Sequence, residues 1–324
     1  MLYPLGVRFE LPMIRVRDFH WNEDFEKVCT FLAELQVLTQ SIRNWIPSRF
    51  ENRKFGPCGP EYRDEEDGLV KIWEEIDETN ESLESRIVAV TVLNDSPDSY
   101  PNIHPNHEYL ASEIILEMEK ERAAIPPNDD FGSRIVFMVE ADDRRRTELL
   151  QSLGYEDLGP YEHNRIRPLN SGIPDYSLPE GYSIRPAVLP EEFEKYREVL
   201  GSVFCHCGRY MTKASVKKYS EASFWHEDLD LVAVAPDGSF AAFTTARMDP
   251  ASGIAEFEPV GTHPDHRKLG LAKGVILEGL RRLLNHNPTL VCIPGAAANE
   301  GATRLYDSVG FSRVDVHAWR KYLS

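Results

Sequence analysis

In the second half of the chain, the apolar positions change period in an order that describes a small α/β unit. Ile254 to Thr262 reads as a strand with Glu256 and Glu258 set into it. After a polar turn, Leu271, Val275, Leu277, Leu280 and Leu284 recur near helical spacing. Leu290, Val291, Cys292 and Ile293 form a short apolar run suited to a buried strand. Asn299, Ala302, Leu305 and Tyr306 then fall at helical spacing, and Gly310 before Phe311 stops that helix. Upstream, Tyr182-Ser-Ile-Arg-Pro-Ala reads as the opening strand. In the first half, Phe31 to Leu38 and Ile114 to Ala124 read as helices, and Ile135 to Val139 as a buried strand. Arg43 to Asn52 reads as a loop whose Trp45 and Arg49 can contact a ligand or pack between domains, with packing favoured.

The two halves share phrases in the same order. Ile103-His-Pro-Asn-His-Glu-Tyr-Leu-Ala-Ser lines up with Thr262-His-Pro-Asp-His-Arg-Lys-Leu-Gly-Leu at an offset of 159. Ser152-Leu-Gly-Tyr155 lines up with Ser308-Val-Gly-Phe311 at an offset of 156. Two matches with nearly equal offsets indicate one unit present twice. A stretch rich in Pro, Gly, Ser and Asn, residues 168–181, separates the copies. The reading is therefore a degenerate domain over 1–172 and a second domain over 173–324.

The turn at 263–272 holds Arg267-x-x-Gly270-x-Ala272. A turn of this composition at a helix start leaves backbone N–H groups free where the helix dipole also favours an anion. Gly270 and the small Ala272 allow a phosphate to approach the backbone closely. In the first copy, Glu108 stands for Arg267, Ala111 for Gly270 and Glu113 for Ala272. Two carboxylates would repel a pyrophosphate. Leu150 stands for Tyr306, and Pro101 interrupts the strand before the turn. The first unit is expected to keep the architecture, to lack the anion cradle and to wall a substrate cleft.

The order of strand, Arg-x-x-Gly-x-Ala turn, helix, strand and Asn…Ala…Leu-Tyr…Gly-Phe resembles the GNAT superfamily of acyl-CoA-dependent N-acetyltransferases. The phrase Glu258-Pro-Val-Gly-Thr-His-Pro…Arg267 resembles its tandem members, the group that contains the mycothiol synthases. The resemblance implies a mixed α+β fold of two tandem GNAT-type units, each a twisted, mostly antiparallel sheet flanked by helices. It implies acetyl-CoA as co-substrate, with direct transfer of the acetyl group to the amine of a small molecule in a ternary complex. Val260, Gly261 and Thr262 would meet the pantetheine arm. Arg267, Lys268, Leu269, Gly270, Leu271 and Ala272 would hold the pyrophosphate, and Asn299 would bond the pantetheine or phosphate region. Tyr306 aligns with a tyrosine that protonates the departing sulfur in many members. Glu256 and Glu258 share one side of their strand, and either can serve as the base, with Glu258 favoured. His263 and His266 suit capping or loop hydrogen bonds. Phe204-Cys-His-Cys-Gly-Arg-Tyr210 and Phe224-Trp225 fall where the acceptor pocket is shaped. The alternative is a non-catalytic acyl-CoA-binding or interaction module.

Composition narrows the partners. Residues 182–324 carry 17 basic and 17 acidic side chains, so the whole formal charge of −17 resides in residues 1–181, with Asp64–Asp67 and Glu74–Glu84 especially acidic. Such a surface keeps the chain soluble, or draws in a cationic amine. It does not suit nucleic acid, which needs a basic face. No apolar run is long enough to span a membrane, and the first residues lack a signal-peptide pattern, which together favour the cytoplasm; a monomer or homodimer is expected. The five cysteines argue against a disulfide framework. Cys205-His-Cys207 has no second ligand cluster at zinc-like spacing, so free thiols and no metal are expected.

Overall fold

The computed structural model describes residues 12–58, 66–76, 85–94, 96–126, 132–168 and 170–323. The acidic residues at 64–65 and 77–84 fall outside them. The first unit runs β1 (Met13–His20), α1 (Trp21–Thr39), α2 (Pro47–Phe55), β2 (Glu66–Ile76), β3 (Ser85–Leu93), β4 (Asp98–Ile103), α3 (Ala111–Ala124), β5 (Arg134–Glu140), α4 (Arg144–Ser152) and β6 (Glu156–Arg167). The second runs β7 (Ser183–Pro186), α5 (Phe193–Val203), α6 (Cys205–Tyr210), α7 (Lys213–Tyr219), β8 (Asp230–Val234), β9 (Phe240–Met248), β10 (Ile254–Thr262), α8 (Leu271–Leu283), β11 (Leu290–Ala297), α9 (Glu300–Ser308) and β12 (Ser312–Tyr322).

Helix α1 is longer than its apolar core, Phe31 to Leu38, suggests. The segment read as a loop after Arg43 becomes α2 from Pro47. The local signal was present: proline at the first helical position lacks only an N–H that would be unpaired there anyway. Each unit builds its own core. Ile114, Ile115 and Met118 of α3 pack on Val88, Ile135 and Phe137. Ile276, Leu277 and Leu280 of α8 pack on Phe257, Val291 and Ile293.

Among the described residues the twelve strands form one continuous sheet, ordered β1-β2-β3-β4-β5-β12-β6-β11-β10-β9-β8-β7. Successive antiparallel strands of one unit usually neighbour each other. Here the last strand of each unit inserts beside the other unit instead. Strand β12 lies against β5, with Ala318 opposite Met138, and β6 lies against β11, with Cys292 opposite Ile166. The two exchanged strands pair with each other in the middle. Strand β6, from the first unit, therefore lies directly beside the strand that borders the second unit's cleft.

Candidate functional site

Strands β10 and β11 run parallel and pair only from Ile254–Leu290 to Glu256–Cys292. Beyond that they splay. The edge of β10 from Val260 to Thr262 remains bonded to β9 alone. A cavity of about 840 Å³ opens between the strands. It is lined by Val260, Gly261 and Thr262 on one wall, Ile293 to Ala297 on the other, Asn299 at the N-cap of α9 and Tyr306 from its last turn. An open strand edge offers N–H and C=O groups to an extended, amide-bearing arm.

The mouth of this cavity is the turn before α8. Lys268 and Gly270 both take left-handed backbone angles, φ 66° and 78°. Gly270 is the N-cap of α8 and supplies no capping side chain, so the first N–H groups of the helix have no side-chain partner. This concave run of amides is suited to an anion. Arg267, Lys268, Gly270, Leu271 and Ala272 line the cavity, whereas the half-exposed Leu269 does not. His263 Nδ1 accepts from the N–H of Asp265, and His266 Nδ1 lies 2.9 Å from the Tyr182 hydroxyl, so both histidines tie the loop. Asn299 caps α9 by accepting from the N–H of Ala302, which leaves its side-chain NH2 for a ligand. These residues fit an acyl-CoA. Its thioester would supply an activated acyl group and a good leaving group.

Glu256 and Glu258 both face the first unit, as alternation requires, but their surroundings differ. Glu256 is 0 % exposed; its carboxylate accepts from Ser48 Oγ at 2.7 Å and lies 3.4 Å from Arg247 and 3.6 Å from Arg49. It does not reach the cavity. Glu258 has no hydrogen-bond partner among the described residues and lines the cavity. Burial pushes its carboxyl above the usual range, the Arg247 and Arg49 charges oppose the shift, and Glu256 adds to it. Tyr306 lines the same cavity, and burial, then the Glu258 charge, push its phenol up to about 12, with Arg165 opposing. Arg165 of β6 is fully buried, lies 5.9 Å over the Tyr306 ring and pairs with Asp307.

A second pocket of about 430 Å³ meets the first at Glu258 and Phe204. Its walls combine Tyr196, Cys207, Tyr219 and Arg247 of the second unit with Asn52, Arg53 and Cys58 of the first. Phe204, His206 and Cys207 thus shape this pocket, while Phe224, fully buried in the core, and Trp225 are not part of its lining. The expectation of free thiols fails for one pair: Cys58 and Cys207 form a disulfide across the two units, 149 residues apart in sequence. Only folding brings them together. Cys29, Cys205 and Cys292 are free.

The first unit repeats the splay, since β4 and β5 pair only at Asp98–Val136 and Ser99–Phe137. Here the chain fills its own opening. The Trp45 N–H donates to Asn102 Oδ1 at 2.7 Å, and the Ile103 N–H donates to Asn44 Oδ1 at 3.4 Å, on the edge matching Gly261 and Thr262. About 60 Å³ remains between the strands, with a recess of about 350 Å³ outside, where Arg146 reaches Glu108. Ala111 keeps right-handed angles, φ −54°, so the preceding helical turn runs into α3 without an open nest. Calorimetric titration with acetyl-CoA is expected to give one site per chain, and Glu108→Arg to leave that number unchanged. Two sites in the wild type would overturn the assignment.

A splayed parallel pair, a nest of amides at the following helix and a tyrosine on the next together give the second unit a GNAT-type fold. Residues 200–311 match the acetyltransferase (GNAT) family model, and it is this segment that the match assigns to the family. Among curated relatives, the mycothiol acetyltransferase of Paenarthrobacter aurescens (strain TC1) is 28% identical over 174 residues, 52% of this chain and 54% of that protein. The mycothiol acetyltransferase of Streptomyces coelicolor is 25% identical over 185 residues, 56% of this chain and 59% of that protein. The chain spans about half the length of the curated relatives it matches. The fold is shared along nearly the whole chain. A GCN5-related N-acetyltransferase from Sphaerobacter thermophilus superposes with a TM-score of 0.62 at 17% identity, covering 96% of both chains. A tandem GNAT protein from the clavulanic acid biosynthesis pathway superposes at 0.61 and 16% identity, covering 96% of this chain and 99% of the other. Among the described residues no helix is long and apolar enough to cross a membrane, and no group of three or more His, Cys, Asp or Glu is placed to hold a metal ion.

Proposed function

We propose that the second unit, residues 173–324, transfers an acetyl group from acetyl-CoA directly to the amine of a small molecule. Residues 1–172 act as the degenerate unit that completes the acceptor pocket. The observation that carries this reading is the position of Glu258, an unpartnered carboxylate where the two pockets meet.

An ammonium entering from the 430 Å³ pocket must lose a proton before its nitrogen can attack. Glu258 is the group that takes it, and its raised carboxyl makes it a stronger base than an ordinary glutamate. Tyr306, protonated at neutral pH, is the donor for the departing sulfur. A phenol at about 12 is weaker than a free thiol of about 8.5. The Glu258 charge is one cause of that weakness, however. Once Glu258 has taken the amine proton, Tyr306 becomes the better acid at the step that needs one. Much of the remaining rate comes from holding amine and thioester together. The pocket volume suits a small acceptor, and the acidic first half would draw in a cation. The use of acetyl-CoA as donor agrees with a cytoplasmic setting.

The test is thiol release from acetyl-CoA across a panel of amino sugars, amino acid amides and polyamines. Transfer to at least one small amine is expected. Tight acetyl-CoA binding with no amine acetylated would instead support a module that binds without turnover.

A further inference from the structure

Strand β11 is irregular where it faces the cofactor cavity. Its register with β6 slips between Ile293 and Ala296, and Gly295 takes φ 64°. A bulge leaves backbone groups unpaired by the ladder. Both groups at this bulge are taken by the first unit. Arg49 Nη2, from α2, donates to the Pro294 carbonyl at 2.6 Å, and the Gly295 N–H donates to Asn164 Oδ1 of β6 at 3.1 Å. A Cβ on Gly295 would come within 3.2 Å of Glu162 and 3.3 Å of Arg49, so these side chains close over the bulge. The same Arg49 sets its Nε 3.6 Å from Glu256, which Ser48 also holds.

We propose that Arg49 and Asn164 are positioning residues: the first unit clamps the Pro294–Gly295 bulge and secures Glu256, which keeps Glu258 free at the junction of the two pockets. This rests on the acetyl-transfer reading above. The degenerate unit is then a working part of the active one, and the exchanged strand β6 is the means of delivery. Glu258 is faced by Arg49 from α2, Arg247 from β9, Glu256 on its own strand and Tyr306 from α9, with Arg53 of α2, Tyr196 of α5, His206 of α6 and Tyr219 of α7 in the adjoining pocket. Removal of the Arg49 cation therefore raises the Glu258 carboxyl further, because that charge opposes the shift.

The test compares Arg49→Met, Arg49→Lys and Asn164→Ala in the full chain, using the best amine from the panel. Arg49→Met should lower kcat roughly tenfold to a hundredfold, the scale of a small misplacement near the chemistry, with the KM for acetyl-CoA little changed. The acid limb of its kcat/KM profile should move to higher pH, because a charge that favours the carboxylate is lost, and Arg49→Lys should restore the limb. Asn164→Ala should lower kcat without moving the limb. Hydrogen exchange at residues 290–297 should quicken in both Arg49→Met and Asn164→Ala, and this readout needs no turnover. If Arg49→Met does not fold, Asn164→Ala decides. Wild-type kcat and unaltered exchange in Asn164→Ala overturn the clamp. Failure of the wild type to acetylate any amine overturns the proposed function instead, while the exchange measurement still tests the clamp.

Discussion

Glu258→Gln should abolish most acetyl transfer while leaving acetyl-CoA binding intact. A positioned general base contributes about 10²–10⁴-fold, so kcat should fall by that order, and calorimetry should still show one acetyl-CoA per chain. The fold should tolerate the change, because Glu258 has no hydrogen-bond partner among the described residues to strand. Glu256 makes the contrast. It is fully buried between Arg247, Arg49 and Ser48, and Glu256→Ala would leave buried guanidinium charge uncompensated, at a cost of about 3–5 kcal/mol. That variant should lose stability first and activity with it. The wild-type pH profile follows from the same environment. The base works only when ionised, and burial raises its carboxyl. Activity should therefore be full at higher pH and fall as pH drops through a midpoint above the ordinary carboxylate range. A profile flat down to pH 4, or an active Glu258→Gln enzyme, would rule Glu258 out.

Tyr306→Phe should lower kcat by roughly 10–10²-fold, toward or below the low end expected of a positioned acid, because a thiolate leaves well without help. The KM for acetyl-CoA should barely change, since the ring keeps its place beneath Arg165 and beside Phe311. The acid limb should stay in place, because it belongs to Glu258. No basic limb from the phenol should appear in the wild type below pH 10, given a hydroxyl held near 12. Unchanged kcat would mean that the thiolate departs unaided and that Tyr306 only packs.

The candidate site was legible where chemistry is local. A helix-start turn with glycine at a left-handed position must be written in consecutive residues, and Arg267 to Ala272 could be read directly. His263 and His266 belong to the same class, because their bonds reach close neighbours or the next loop. The helix beginning at Pro47 was equally legible from its first residue, although the aromatic and basic residues around it suggested a loop. The two glutamates were not separable by sequence. Alternation puts both on one side of β10, and only the partners on the opposing surface distinguish them: three for Glu256, none for Glu258 among the described residues.

By itself, then, the sequence determined two copies of one α/β unit, one with the Arg-x-x-Gly-x-Ala turn and one with that turn altered, because each of these depends on residue order over short spans. The tertiary structure decided how the copies are joined. A strand's backbone pairs equally well with any partner of suitable twist, so nothing local in β6 or β12 marks the exchange that places Arg165, Asn164 and Arg167 against the second unit. It also decided that Asn44 and Trp45 close the first cleft and that Cys58 meets Cys207. Those contacts span tens to hundreds of residues, and loop closure over such distances leaves no periodicity or spacing in the chain from which to read them.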